Sequence, residues 1–144
     1  MKIKTVICAA GGTAASAFSY LVGGFTPDMT ALIIFMAIDY LTGIICAAVF
    51  KNSAKTESGA LSSYAGFKGI AKKIIMIFLV ATAHSIDMFM KTEFIKTAVI
   101  YGFILNEIIS ITENAGLMGI TSPVIKDALD MLKRGKKDDN EKNT

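Results

Sequence analysis

The chain has 144 residues, of which 53% are hydrophobic and 19% charged, with a formal net charge of +3 and a mean hydropathy of +0.53. A soluble domain is about 45–50% apolar, so this composition argues against one and for a membrane protein. Each crossing of a lipid core takes about 20 helical residues, which gives room for about four spans and a tail but none for a soluble catalytic domain.

Lys2 and Lys4 precede the first apolar stretch, residues 6–25. A basic start followed by an apolar run also describes a secretory signal, but the run lacks a small-x-small cleavage site, and Ile7 before Cys8 does not fit a lipoprotein box. It is expected to be retained as a helix. Gly11, Ala15, Ser19 and Gly23 recur at four-residue spacing, with Gly12, Ser16 and Gly24 one position on. A face so free of bulk lets another helix come close. It serves either packing within one monomer or a subunit contact beside an aqueous lumen. Thr26-Pro27-Asp28 then reads as a tight turn, with Asp28 able to cap the next helix.

The second stretch, 29–50, carries Asp39 near its middle, where a carboxylate costs at least about 2.5–3.5 kcal/mol on insertion scales. Asp39 therefore needs a partner or water. It is either a residue of assembly, lumen lining or gating, or a structural aspartate that is protonated or hydrogen-bonded internally. Thr42 and Gly43 share its helix face. Cys8 and Cys46 fall in apolar stretches, where a thiol acts as a small hydrophobe and has no metal-site spacing.

The connection from Lys51 to Gly69 is rich in Ser, Gly, Ala, Thr and Lys and is expected outside the lipid core. Lys51, Lys55 and Lys68, with Lys72 and Lys73 opening the next helix, face the single anion Glu57, making this the strongest basic loop of the chain. These five lysines are the expected determinants of topology. The third stretch, 70–89, places His84 and Asp87 on one helix face. The short turn after it holds Lys91 and Lys96. In the fourth stretch, 94–112, Asn106, Glu107, Ser110, Glu113 and Asn114 form a polar stripe. Either that stripe faces a water-filled interior, or the segment lies along the membrane surface and only three helices span.

Ser122-Pro123 can start a short amphipathic helix carrying Val124, Ile125, Ala128, Leu129 and Leu132, followed by a mixed-charge run from Lys133 to Thr144. The alternation of lysine-rich and lysine-poor ends fits a multi-pass protein with both termini in the cytoplasm. The expected organisation is thus an all-α integral membrane protein. Residues 1–120 form a transmembrane domain, with helices at about 6–25, 29–50, 70–89 and 94–112, and residues 121–144 a cytoplasmic amphipathic helix and charged tail.

Several runs in this order resemble the phage and toxin-secretion holins of the clostridial toxin-export type. They are Asp39-Tyr40-Leu41-Thr42-Gly43, Lys68-Gly69-Ile70-Ala71-Lys72-Lys73, Asn106-Glu107 through Ser110-Ile111-Thr112-Glu113-Asn114, and then Gly119-Ile120 and Pro123. Together they cover about residues 29–133, and the first helix matches the pattern least. The resemblance implies a non-enzymatic pore-former of the bacterial cytoplasmic membrane, a homo-oligomer of many subunits that lets an endolysin or a toxin pass. Two other classes are weighed against it. A small channel or transporter would use the intramembrane acids to bind an ion or substrate, but no internal repeat or broken-helix pair supports it. An antiholin or regulatory membrane subunit would share the sequence pattern without killing. No cofactor or metal is expected, nor an enzyme, since no nucleophile–base pair, phosphate loop or metal cluster stands in a water-exposed segment. The basic loop lacks interleaved aromatics and fits anionic membrane lipid better than nucleic acid.

Overall fold

A computed structural model of the chain describes residues 2–120, together with Pro123, Lys126, Asp127, Asp130, Met131 and Arg134. The amphipathic helix expected from Ser122, Val124, Ile125, Ala128, Leu129 and Leu132 rests on positions outside the described residues, as does nearly all of the charged tail.

The first helix, α1, runs over Lys2–Leu21. It stops because Gly23 and Gly24 take left-handed φ values of 72° and 86°, and Gly24 N–H closes the turn on the Ser19 carbonyl at 2.7 Å. Gly23 thus leaves the helix that carries Gly11, Ala15 and Ser19. Thr26, in extended conformation, holds the N-cap position of α2 (Pro27–Ile45), with proline at its start and Asp28 in its first turn. Asp28 was the expected cap. It sits two positions further in, where a carboxylate still favours the positive end of the helix dipole.

The α2 helix ends in a five-residue π-helical turn, Cys46–Phe50, closed by Lys51 in the left-handed region. The connection that follows is tied down at several points. Ser53 N–H donates to the Gly59 carbonyl at 2.9 Å, the Cys46 thiol to the Asn52 carbonyl at 3.4 Å, and the Asn52 amide to the Leu117 carbonyl at 3.0 Å.

Ser62 caps α3 by accepting from Ala65 N–H, and α3 extends over Ser63–Met90, 28 residues. It begins seven positions before the expected Ile70, so Lys68 lies within the helix rather than before it, and Lys72 and Lys73 stand about three turns in rather than in its first turn. The Ser/Gly/Ala content of this segment reads as loop, but a serine cap followed by Tyr64, Ala65 and Phe67 is sufficient to start a helix. At about 1.5 Å per residue α3 spans about 42 Å, more than the roughly 30 Å lipid core, so its first turns can stand clear of the hydrocarbon.

The last helix, α4, covers Ile95–Leu117. Its C-terminus is closed by Gly119 at φ 79° and by Ile120 N–H on the Ala115 carbonyl at 2.9 Å, a Schellman-type end.

Among the described residues three helices are long and apolar enough to cross a membrane: Pro27–Phe50, Ser63–Met90 and Ile95–Leu117. They are antiparallel neighbours in sequence, and α4 packs on both α2 and α3. By length and apolarity α4 belongs to this set, and α1 is the helix outside it. Lys2, Lys4 and the many glycines, serines and threonines of α1 dilute its hydropathy. Its C-terminal end joins the bundle through Phe18, which packs against the core cluster that includes Val22, Met29, Leu32, Met76, Val80 and Ile100. Large apolar side chains such as Leu41, Phe78, Leu79, Phe89 and Tyr101 face outward. In water such a surface would be a liability, and against lipid it is what a spanning bundle presents.

Candidate functional site: a buried charge network at membrane depth

Asp39 stands about 18 Å along α2 from Pro27, and Glu107 about 18 Å along α4 from Ile95. Both helices start at the same end of the bundle, so the two acids arrive at one level. Lys73, about 15 Å into α3 from the opposite end, reaches that level from the other direction. Its ammonium donates to Asp39 Oδ2 at 2.8 Å and also to Glu107 Oε2. Asp39 is 6% exposed and Glu107 2%.

The remaining valences of Asp39 are also used. The Asn114 amide donates to Asp39 Oδ1 at 3.3 Å and to Thr42 Oγ1 at 3.1 Å. Thr42 in turn donates its hydroxyl to the Asp39 backbone carbonyl at 3.0 Å. Ser110 lines the same cavity as the carboxylate, and Lys55, from the connection, lies 3.9 Å from Asp39 Oδ1. Gly43 faces the same convergence, with Asn114 Nδ2 and Lys55 Nζ on its open side.

Six residues singled out in the sequence therefore meet: Asp39, Thr42, Gly43, Glu107, Ser110 and Asn114. Asn106 is half-buried and Glu113 exposed, and neither lines the cavity beside the network. The sequence reading missed the central member. Lys73 was assigned to the basic loop and to topology, whereas it is the bridge between two acids. The available signal was Ser62: once that residue is taken as the cap, Lys73 falls three turns inside a helix, where a lysine needs a counter-charge.

A cavity of about 340 Å³ opens beside the network. It is lined by Asp39, Lys73, Glu107 and Ser110 at its inner end and by Lys55, Lys68, Lys72, Ser62 and Tyr64 toward the connection. The network is thus paired on one side and reachable by water on the other. Two charges left buried and unpaired would cost several kcal/mol, and a bridging ammonium with several hydrogen-bond donors offsets most of that cost.

Asp87, on the helix face it shares with His84, is taken up by the turn into α4. Asp87 accepts from Ile95 N–H at 3.1 Å, Lys96 N–H at 2.8 Å and the Thr92 hydroxyl at 2.5 Å, so it caps α4 across the turn. His84 lies under Gly23, whose carbonyl accepts from Lys96 Nζ at 3.2 Å. On α1, Gly11 and Ala15 are exposed and Ser19 half-buried. Among the described residues no cluster of three or more His, Cys, Asp or Glu is placed to hold a metal ion.

The sequence profile of the bacteriophage holin family matches residues 16–134, a span that leaves out most of α1. The chain is 32% identical over 103 residues to a protein of Bacillus phage phi105 named a probable holin, with 70% of each chain covered. It is 38% identical over 125 residues to an uncharacterised protein of Listeria innocua, covering 86% of this chain and 84% of the relative. An uncharacterised 14.9 kDa protein of Clostridium perfringens is 31% identical over 122 residues, with 83% and 86% covered. No solved structure matches the chain.

Proposed function

We infer the function from two facts taken together: the chain belongs to the bacteriophage holin family, and it buries a lysine between two carboxylates inside a bundle whose outer surface is apolar. The proposed function is that of a holin. Copies accumulate in the bacterial cytoplasmic membrane, with α1 as a fourth crossing that brings both termini to the cytoplasm, associate as a homo-oligomer, and open a large non-selective hole through which an endolysin, or a toxin in a secretion setting, leaves the cell. The role needs no catalysis.

The single observation that supports this mechanism is the Asp39–Lys73–Glu107 bridge. Each subunit can cross the lipid with its polar groups satisfied internally, so subunits accumulate without leaking. If the helices rearrange at high density, the same groups become the wall of an aqueous lumen, with Thr42, Gly43, Ser110 and Asn114 beside them. Asn106 and Glu113 extend that polar face along α4. Hydration by the lumen then replaces the internal pairing, and the exchange costs little when many subunits move together. The lysines Lys51, Lys55, Lys68 and Lys72 hold the connection on the cytoplasmic side. The open face of Gly11, Ala15 and Ser19 on α1 is available for a neighbouring subunit.

The test is induced expression in a bacterium, with and without a cytoplasmic endolysin that lacks a secretion signal, following turbidity and release of a cytoplasmic enzyme. Abrupt lysis that requires both proteins supports a protein-sized hole. Unaffected growth with the protein confirmed in the membrane overturns it in favour of an antiholin or regulatory subunit, and ion leakage without protein release in favour of a small channel.

A further inference from the structure

The helices α2 and α3 touch each other less than either touches α4, and two hollows open between them and run together. One is the polar cavity of about 340 Å³ beside the charge network. The other is a shallow groove of about 270 Å³ lined by Met36, Ala37, Ile70, Ile74 and Ile77, and it shares Tyr40 and Lys73 with the first. Direction matters here. From Tyr40 back to Met36 on α2, and from Ile70 on to Ile77 on α3, the groove leads away from the lysine-rich connection and toward the middle of the bilayer. Ile70 and Ile74 are 44% and 48% exposed, so its open side faces lipid.

The polar cavity carries four lysines, Lys55, Lys68, Lys72 and Lys73, against two carboxylates, Asp39 and Glu107. Lys73 bridges both carboxylates and Lys55 lies 3.9 Å from Asp39, so these two lysines offset the two acids and Lys68 and Lys72 leave the outer part of the cavity positively charged. The first turn of α3 adds the positive end of a helix dipole at Ser62 and Tyr64, which also line it. A positive pocket at the lysine-rich membrane boundary, continuous with an apolar groove that descends into the hydrocarbon, has the two-part chemistry of an anionic phospholipid.

We propose that this pair of hollows binds one anionic phospholipid, its phosphate held among Lys55, Lys68 and Lys72 and one acyl chain lying along Ala37 and Ile74. The proposal stands whether or not the chain forms a pore. Among α2, α3 and α4, the bound lipid fills the gap between the two that hold each other least, so it stabilises the closed bundle.

The test uses the full chain purified in mild detergent and titrated with short-chain phosphatidylglycerol, short-chain phosphatidylcholine of the same chain length, and inorganic phosphate, with binding read by native mass spectrometry and by the thermal unfolding midpoint. Phosphatidylglycerol is expected to bind about tenfold or more tightly than phosphatidylcholine and to raise the midpoint, while inorganic phosphate at the same concentration does neither. Lys68→Gln with Lys72→Gln should remove about tenfold of that preference. Ala37→Phe, which fills the groove and leaves every lysine in place, should weaken phosphatidylglycerol. Equal binding of the two lipids overturns the proposal. So does inorganic phosphate competing at equal concentration with no effect of Ala37→Phe, which would mark a site for free anions only. Should the double glutamine variant fail to fold, the comparison of lipids on the unaltered chain and on Ala37→Phe decides alone.

Discussion

Lys73 and Asp39 are 34 residues apart in the chain and 2.8 Å apart in the bundle, and the next 34 residues bring Lys73 to Glu107. One ammonium therefore ties together the three helices that are long and apolar enough to cross a membrane. Replacing it is the severest test of the network. Lys73→Met leaves two buried carboxylates without their bridge and should cost about 3–5 kcal/mol, the usual penalty for breaking a buried ion pair from one side. Reversible unfolding of the purified protein in detergent measures it. The triple replacement Asp39→Leu, Lys73→Met and Glu107→Leu removes all three charges and should recover most of that loss. A triple variant no more stable than Lys73→Met would show that the charges are not what hold the helices together.

Asp39→Leu tests function more cleanly, because it leaves Lys73 paired with Glu107. The variant should insert normally and lose at most about 1–2 kcal/mol from the Asn114 contact. Under the proposed mechanism it delays or abolishes lysis, since the lumen loses a charged wall residue. Timed turbidity with membrane fractionation separates the two effects; lysis on the normal schedule would rule out a role for Asp39 in opening.

Much of this was legible in the sequence because membranes penalise polarity so heavily. An aspartate in an apolar run demands a partner, and the stripe Glu107, Ser110 and Asn114 pointed one face of α4 at that demand. The identity of the partner was not legible. Lys73 sits in a lysine-rich segment whose excess positive charge is explained by topology, and only the start of α3 at Ser63 shows that it lies about three turns inside the helix. The start of α3 was hidden in turn because Ser, Gly and Ala suit loops and helix starts alike. Asp87 shows a different limit. Three-residue spacing to His84 is a correct statement about one helix face, but the same carboxylate is taken up by the backbone donors of α4, which are otherwise unsatisfied. Asn106 and Glu113 share the polar stripe yet stay off the cavity, because a stripe wider than one helix–helix contact cannot all face one hollow.

Asp87 should accordingly behave as a cap. Asp87→Ala removes the acceptor of Ile95 N–H, Lys96 N–H and the Thr92 hydroxyl and should cost about 1–2 kcal/mol, in the range of helix N-cap losses. Hydrogen exchange should rise first at Ile95 and Lys96, with the middle of α4 unchanged. Asp87→Asn, which keeps one acceptor oxygen, should retain part of the protection. Uniform loss along the whole of α4 would mean that Asp87 holds the helix by some means other than its first turn.

Gly23 joins two constraints that a double mutant can separate. Its φ of 72° favours glycine, and a side chain added there would run into the His84 ring. Gly23→Ala should therefore carry a backbone cost of about 1–2 kcal/mol for the left-handed conformation and a further cost from the clash. His84→Ala in the Gly23→Ala background opens the space but leaves φ unchanged, so it should recover the second component only. The coupling between the two substitutions, read from unfolding of the four proteins in the cycle, then reports the steric contact by itself. Zero coupling with a full loss in Gly23→Ala alone would assign the whole effect to the backbone, and would leave the turn between α1 and α2 fixed by Gly23 without help from α3.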